Sequence, residues 1–138
     1  MNYTRIALAS LGAFVAYMAL GGLIFAAIPS LKGEFLKYPA VYRSQEGQMS
    51  HMPTGMVPML LSMVVLSVLY AMIYKGGSGV AQGAIFGALI GVYAIGSFVL
   101  HNYVNLNIGI RITAFSALAY FVEWTMVGVV IGLIYKPV

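Results

Sequence analysis

The chain alternates four long apolar runs with one extended polar segment and two short polar turns. The spacing predicts membrane-spanning helices over residues 3–28, 55–74, 80–103 and 113–135, with a polar loop over 30–54. Each run comes close to the ~20 apolar residues that a helix needs to cross a bilayer. Pro29 closes the first run, because proline cannot continue the backbone hydrogen-bond ladder. Within the polar segment, residues 31–42 read as a short helix lying in the interface, with Phe35, Tyr38 and Tyr42 at headgroup depth and Pro39 interrupting it. Gly47 and the Pro53-Thr54-Gly55 turn then lead into the second run. Lys75-Gly76-Gly77-Ser78-Gly79 is so tight a connection that the second and third helices are expected to be antiparallel neighbours. The expected fold is therefore a single-domain, all-α membrane protein, an antiparallel four-transmembrane-helix bundle with a short interfacial helix after the first span. Arg5 ahead of an apolar run resembles a secretory signal, but residues 6–28 exceed the ~7–15 residues of a signal core, and Ala26-Ala27-Ile28 is a poor cleavage site.

Composition supports the membrane class, since 62% of the 138 residues are hydrophobic and only 7% are charged. Cysteine is absent, which removes disulfides, thiolate metal sites and cysteine nucleophiles. The net charge of +4 is spread one or two bases to a loop, so no nucleic-acid partner is expected. The only acids are Glu34, Glu46 and Glu123, and no serine–histidine pair stands at nucleophile–base spacing, so no enzymatic activity is expected. Three bases (Arg5, Lys75, Lys136) lie on the terminal side and four (Lys32, Lys37, Arg43, Arg111) on the other. Arg5 and Lys75 flank membrane ends closely, which favours cytoplasmic termini.

Glu123 is the costliest residue in the chain. It lies ~15 Å into a fourth helix ~34 Å long, near the hydrocarbon midplane. A carboxyl group there costs on the order of ~3 kcal/mol on insertion scales, unless it is protonated, paired or turned toward protein or water. Thr113, Ser116, Tyr120 and Glu123 follow one another by three, four and three residues and form a single stripe. On the third helix, Tyr93, Ser97 and His101 sit at matching depths, and Tyr17 and Ser10 share a face of the first. Facing stripes would form a polar half-cleft for a ligand or proton pathway, with Glu123 at its floor and His101 at its mouth. Alternatively, Glu123 holds the bundle in register through a hydrogen bond to Tyr93 or Tyr17.

Two further patterns bear on function. Gly83, Gly87 and Gly91, and likewise Gly128 and Gly132, recur every four residues, which suits backbone-close helix packing. Met49, His51 and Met52, with His101 on the same side, combine thioether and imidazole in a set that suits copper(I), although methionine also serves as an adaptable filler of apolar helices. No other cofactor is expected. Trp124, the single tryptophan, lies at midplane depth, where its indole N–H needs a partner.

The segments Tyr42-Arg43-Ser44-Gln45-Glu46, Gly83 to Gly91, His101-Asn102-Tyr103-Val104-Asn105 and Glu123-Trp124 give the chain a resemblance over nearly its full length. It resembles a group of uncharacterised small four-helix bacterial inner-membrane proteins. The resemblance implies a bacterial inner membrane and supplies no activity. The leading expectation is a non-enzymatic accessory, assembly or oligomer-forming subunit that packs through its glycine faces against the lipid bilayer's other occupants or itself. The alternatives are a small proton-coupled carrier or channel using Glu123, and a protein binding copper or a lipid-like ligand at the Met/His loop and cleft mouth.

Overall fold

A computed structural model describes residues 1–135, so Lys136, counted above among the terminal bases, lies outside the described residues. All regular secondary structure among the described residues is helical, with no strand. Four helices are long and apolar enough to cross a membrane: α1 (Tyr3–Ala27), α3 (Gln45–Ile73), α4 (Gly79–Asn105) and α5 (Ile110–Ile134). This is the pattern of a multi-pass membrane protein. The short α2 (Pro29–Leu36) follows α1 after a one-residue break at Ile28. Pro29 both ends α1 and opens α2, since its missing N–H is unneeded in a first turn.

Two features depart from the hydrophobic pattern. α3 begins ten residues before the expected start, and Pro53 and Pro58 lie inside it. Its start is set by Ser44, whose Oγ accepts from the Gly47 N–H at 3.2 Å, and Glu46 in the first turn favours the positive helix end. Reading Pro53-Thr54-Gly55 as a turn gave proline its soluble-protein weight, whereas long apolar helices tolerate it. In α4 the residues Ile95–Leu100 widen into a π-helical stretch, which shifts the face presented by its last turns.

α5 occupies the middle of the assembly, packed along α4 on one side and α1 on the other, and α3 packs along α1. The α4–α5 contact is glycine against backbone. Methyl groups built on Gly79 and Gly83 would collide with the Gly132 and Gly128 carbonyls, and one on Gly87 would strike the Trp124 carbonyl. The pairs run in opposite sequence directions, so these two helices are antiparallel.

Buried apolar residues concentrate toward the end that holds Met1 and Tyr135. Ile6, Ala9 and Ala13 from α1 meet Met63 and Tyr70 from α3, Phe86 from α4, and Val127 and Ile131 from α5. Tyr70 is edge-on to Phe86 and Tyr135, and its hydroxyl donates to the Gly79 carbonyl at 3.1 Å. α3 and α4 thus meet at their connecting turn, where Gly76 and Gly77 both adopt φ 87°. Farther along, a cleft lies between them.

Candidate functional site

Glu123 lies near the middle of α5 and is 7% exposed. Opposite it, α1 passes at Gly21, where an added Cβ would stand 3.2 Å from the Glu123 Oε1 atom. The glycine therefore makes the room that the carboxyl occupies. Hydroxyls along the long helices turn back onto their own backbones: Ser10 to Ile6, Ser62 to Pro58, Ser97 to Tyr93, Thr113 to Gly109 and Thr125 to Phe121. Both ion pairs among the described residues belong to Glu34. No hydrogen bond or ion pair among the described residues reaches the Glu123 carboxyl.

The carboxyl instead lines a cavity of about 480 Å³. Tyr17, Gly21 and Phe25 come from α1, Leu31 and Phe35 from α2, Gln48 and Met52 from α3, and Ser116 and Tyr120 from α5. α2 covers this space because it is fastened to the start of α5. Glu34, buried beneath it, pairs with Lys37 Nζ at 2.6 Å and Arg111 Nε at 3.4 Å, and the Gly109 N–H donates to the Tyr38 hydroxyl at 2.9 Å. A second compartment of about 430 Å³ shares Gly22, Phe25, Phe35, Gln48 and Met52 with the first. It extends to Lys32 and Gln45, which are hydrogen-bonded at 2.7 Å. The cavity therefore leads toward the polar segment.

The stripe on α5 spans more than one compartment. Ser116 and Tyr120 line the Glu123 cavity and also a smaller one of about 210 Å³, shared with Thr113, Tyr42 and Asn102. Partial burial, with Tyr38 nearby, holds the Tyr42 phenol above its ordinary value, so it stays a neutral hydrogen-bonding group there.

Tyr93 and Ser97 do not share the Glu123 cavity. They line a separate cleft of about 630 Å³ between α3 and α4, together with Ser62, Val65 and Phe98. Tyr93 is 71% exposed. Glycine positions Gly83, Gly87 and Gly91 turn toward α5, and Tyr93 lies two residues beyond Gly91, about 200° around the helix. One helix cannot present both faces to the same neighbour, a conflict already readable in the spacing. Tyr17 and Tyr120 border both spaces, and Trp124 stacks on Tyr17 with ring centroids 5.3 Å apart. The Trp124 Nε1 atom is buried with no partner among the described residues. His101 is exposed near the end of α4, its carbonyl accepting from Asn105.

Among the copper candidates, Met49 and Met52 line the outer compartment, while the His51 Nδ1 atom is 2.8 Å from the Gly47 carbonyl and 3.0 Å from the Ser50 hydroxyl. Among the described residues, no three His, Cys, Asp or Glu side chains gather in a group that could hold a metal ion.

Sequence did not assign Gly21, Phe35 and Gln48 to this site. Gly21 follows Tyr17 by four residues and so shares its face, a signal present in the spacing. Phe35 and Gln48 reach the cavity only because α2 folds over it and α3 starts early, which no local pattern announces. No protein family, curated protein or solved structure matches the chain. The resemblance to small four-helix bacterial proteins thus rests on its motifs alone.

Proposed function

We propose that this chain is a non-enzymatic, proton-linked carrier of a bacterial inner membrane, with Glu123 as the group that takes up and releases the proton. One observation carries the reading: a carboxyl halfway along a membrane-length helix lines a cavity and has no protein partner among the described residues. An ionisable group at such depth is retained for a task when packing alone does not account for it. In the proposed arrangement the four long helices form an antiparallel bundle with cytoplasmic termini, and α2 lies in the opposite interface.

The accessory-subunit expectation drew on glycine faces and aromatic edges. The glycine faces of α4 and α5 meet each other, while other apolar faces, such as those carrying Ile85, Leu89 and Tyr93, stay exposed. Among the described residues no hydrogen bond joins Glu123 to Tyr17 or Tyr93, which weighs against a role confined to holding register. The compartment at Lys32 and Gln45, which adjoins the cavity through shared lining residues, would give protons and cargo a path from the α2 side, while Ala13, Met63, Val127 and Ile131 pack the other direction.

The test is pH-difference infrared spectroscopy on the purified protein in lipid. A carrier carboxyl exchanges its proton with bulk water, so a protonated-carboxyl band is expected to rise and fall with pH and to vanish in Glu123→Gln. A Glu123 band that ignores pH across the stable range would overturn the proposal.

A further inference from the structure

We infer that the Glu123 cavity takes a lipophilic monocation: a protonated amine, or a quaternary ammonium or phosphonium, that carries apolar groups. This deepens the proton-linked reading above and rests on it for the site. The inference stands on what lines the cavity and on what does not. Among the described residues, Glu123 is its one charged side chain, and no lysine, arginine or histidine borders it. The nearby bases are engaged elsewhere, Lys32 with Gln45, and Lys37 and Arg111 with Glu34. An anionic ligand would meet a lone carboxylate and no counter-charge, in surroundings where such repulsion is weakly screened.

The walls favour an organic cation over an inorganic one. A hard divalent cation is held largely by several carboxylates and carbonyls, whereas here a single carboxyl is joined by neutral groups, the Tyr17 and Tyr120 phenols, the Ser116 hydroxyl and the Gln48 amide. The remainder is aromatic or apolar. Tyr17, Phe25, Phe35 and Tyr120 offer ring faces of the kind that bind alkylated ammonium groups. Met18 and Met52 add thioethers that adapt to differently shaped ligands. At about 480 Å³ the space falls in the range of sites for drug-sized molecules.

Cation and proton then compete for a single carboxyl, which links the movement of one to the other. The titratable groups facing the cavity are Glu123 and Tyr120 from α5 and Tyr17 from α1; α2 presents Leu31 and Phe35, and α3 presents Gln48 and Met52. Of these, a carboxyl is the group able to change charge below neutral pH.

Trp124 supplies the readout, because it is the single tryptophan and, while lining the neighbouring α3–α4 cleft itself, it lies against Tyr17, whose ring lines the Glu123 cavity. The purified protein in mild detergent is titrated with tetraphenylphosphonium and, separately, with tetraphenylborate, which has the same shape and the opposite charge. The phosphonium is expected to change Trp124 fluorescence saturably, to bind less tightly at acidic than at neutral pH, and to bind the Glu123→Gln protein about tenfold more weakly or worse. The borate is expected to give no saturable change. Equal binding of the two ions by the unaltered protein would overturn the inference, and that comparison needs no variant to fold. Undiminished phosphonium binding by a folded Glu123→Gln protein would do the same. Should Glu123 titrate by infrared while neither ion binds, the cation assignment fails and the proton-linked reading survives. Should the phosphonium bind selectively while Glu123 stays inert to pH, the binding site stands and the carrier reading fails.

Discussion

The two ends of this molecule are built on opposite principles. Toward Met1 and Tyr135, glycines let α4 and α5 touch backbone to backbone, and Tyr70, Phe86 and Tyr135 close the remaining gaps. Toward α2, bulky side chains hold the helices apart, and the space between them is cavity. The same residue type shows the contrast. Gly128 has no room for even a methyl group, whereas Gly22 has open space around it. Close packing gives one end a single arrangement, and loose packing gives the other the freedom that the proposed carrier role calls for.

The sharpest way to break this contrast is Gly128→Ala. Its methyl group would press on the backbone of Gly83 and Gly87, which cannot rotate away, so α4 and α5 must separate. We expect a loss of about 3 kcal/mol or more, read as a large drop in melting temperature in detergent. Stability equal to that of the unaltered protein would show that this end is not tightly packed after all.

Tyr70→Phe probes the same end more gently. It removes the donor to the buried Gly79 carbonyl while keeping the ring contacts, for an expected cost of about 1 kcal/mol. A neutral result would mean that the aromatic packing alone closes this end.

At the open end, Arg111→Ala is expected to change access more than stability. The Arg111 side chain is largely exposed, so its pairing with Glu34 contributes no more than about 1 kcal/mol. Loosening α2 should nonetheless raise the rate at which a thiol reagent labels Ser116→Cys several-fold. An unchanged rate would show that α2 does not control access to the cavity.

The smallest effect is expected for Gly22→Ala. With nothing nearby to strike, the substitution should be neutral or stabilise α1 by about 0.5 kcal/mol, through better helix propensity. Substantial destabilisation there would mean that the open end is packed in a way this contrast does not capture.

Much of this was legible from residue order. The four long helices follow from the length of the apolar runs, and the depth of Glu123 follows from its position within one of them. The opposition between the glycine and tyrosine faces of α4 was legible as well, because a two-residue offset on a helix of fixed pitch admits no other answer. Helix boundaries were less secure where proline intervened, since the weight of a proline depends on whether the surrounding helix is held by its neighbours.

By itself, then, the sequence determined the number of long helices, the stripe of polar groups on α5 and the presence of one carboxyl deep within it. Only the tertiary structure decided that Gly21 of α1 faces that carboxyl, that α2 folds over it, and that Tyr93 looks onto a different cleft. The reason is physical. Helical periodicity states which residues share a face, while the neighbour that a face meets depends on how all the helices fit together at once, and in this chain the glycines of α4 and α5 claim each other.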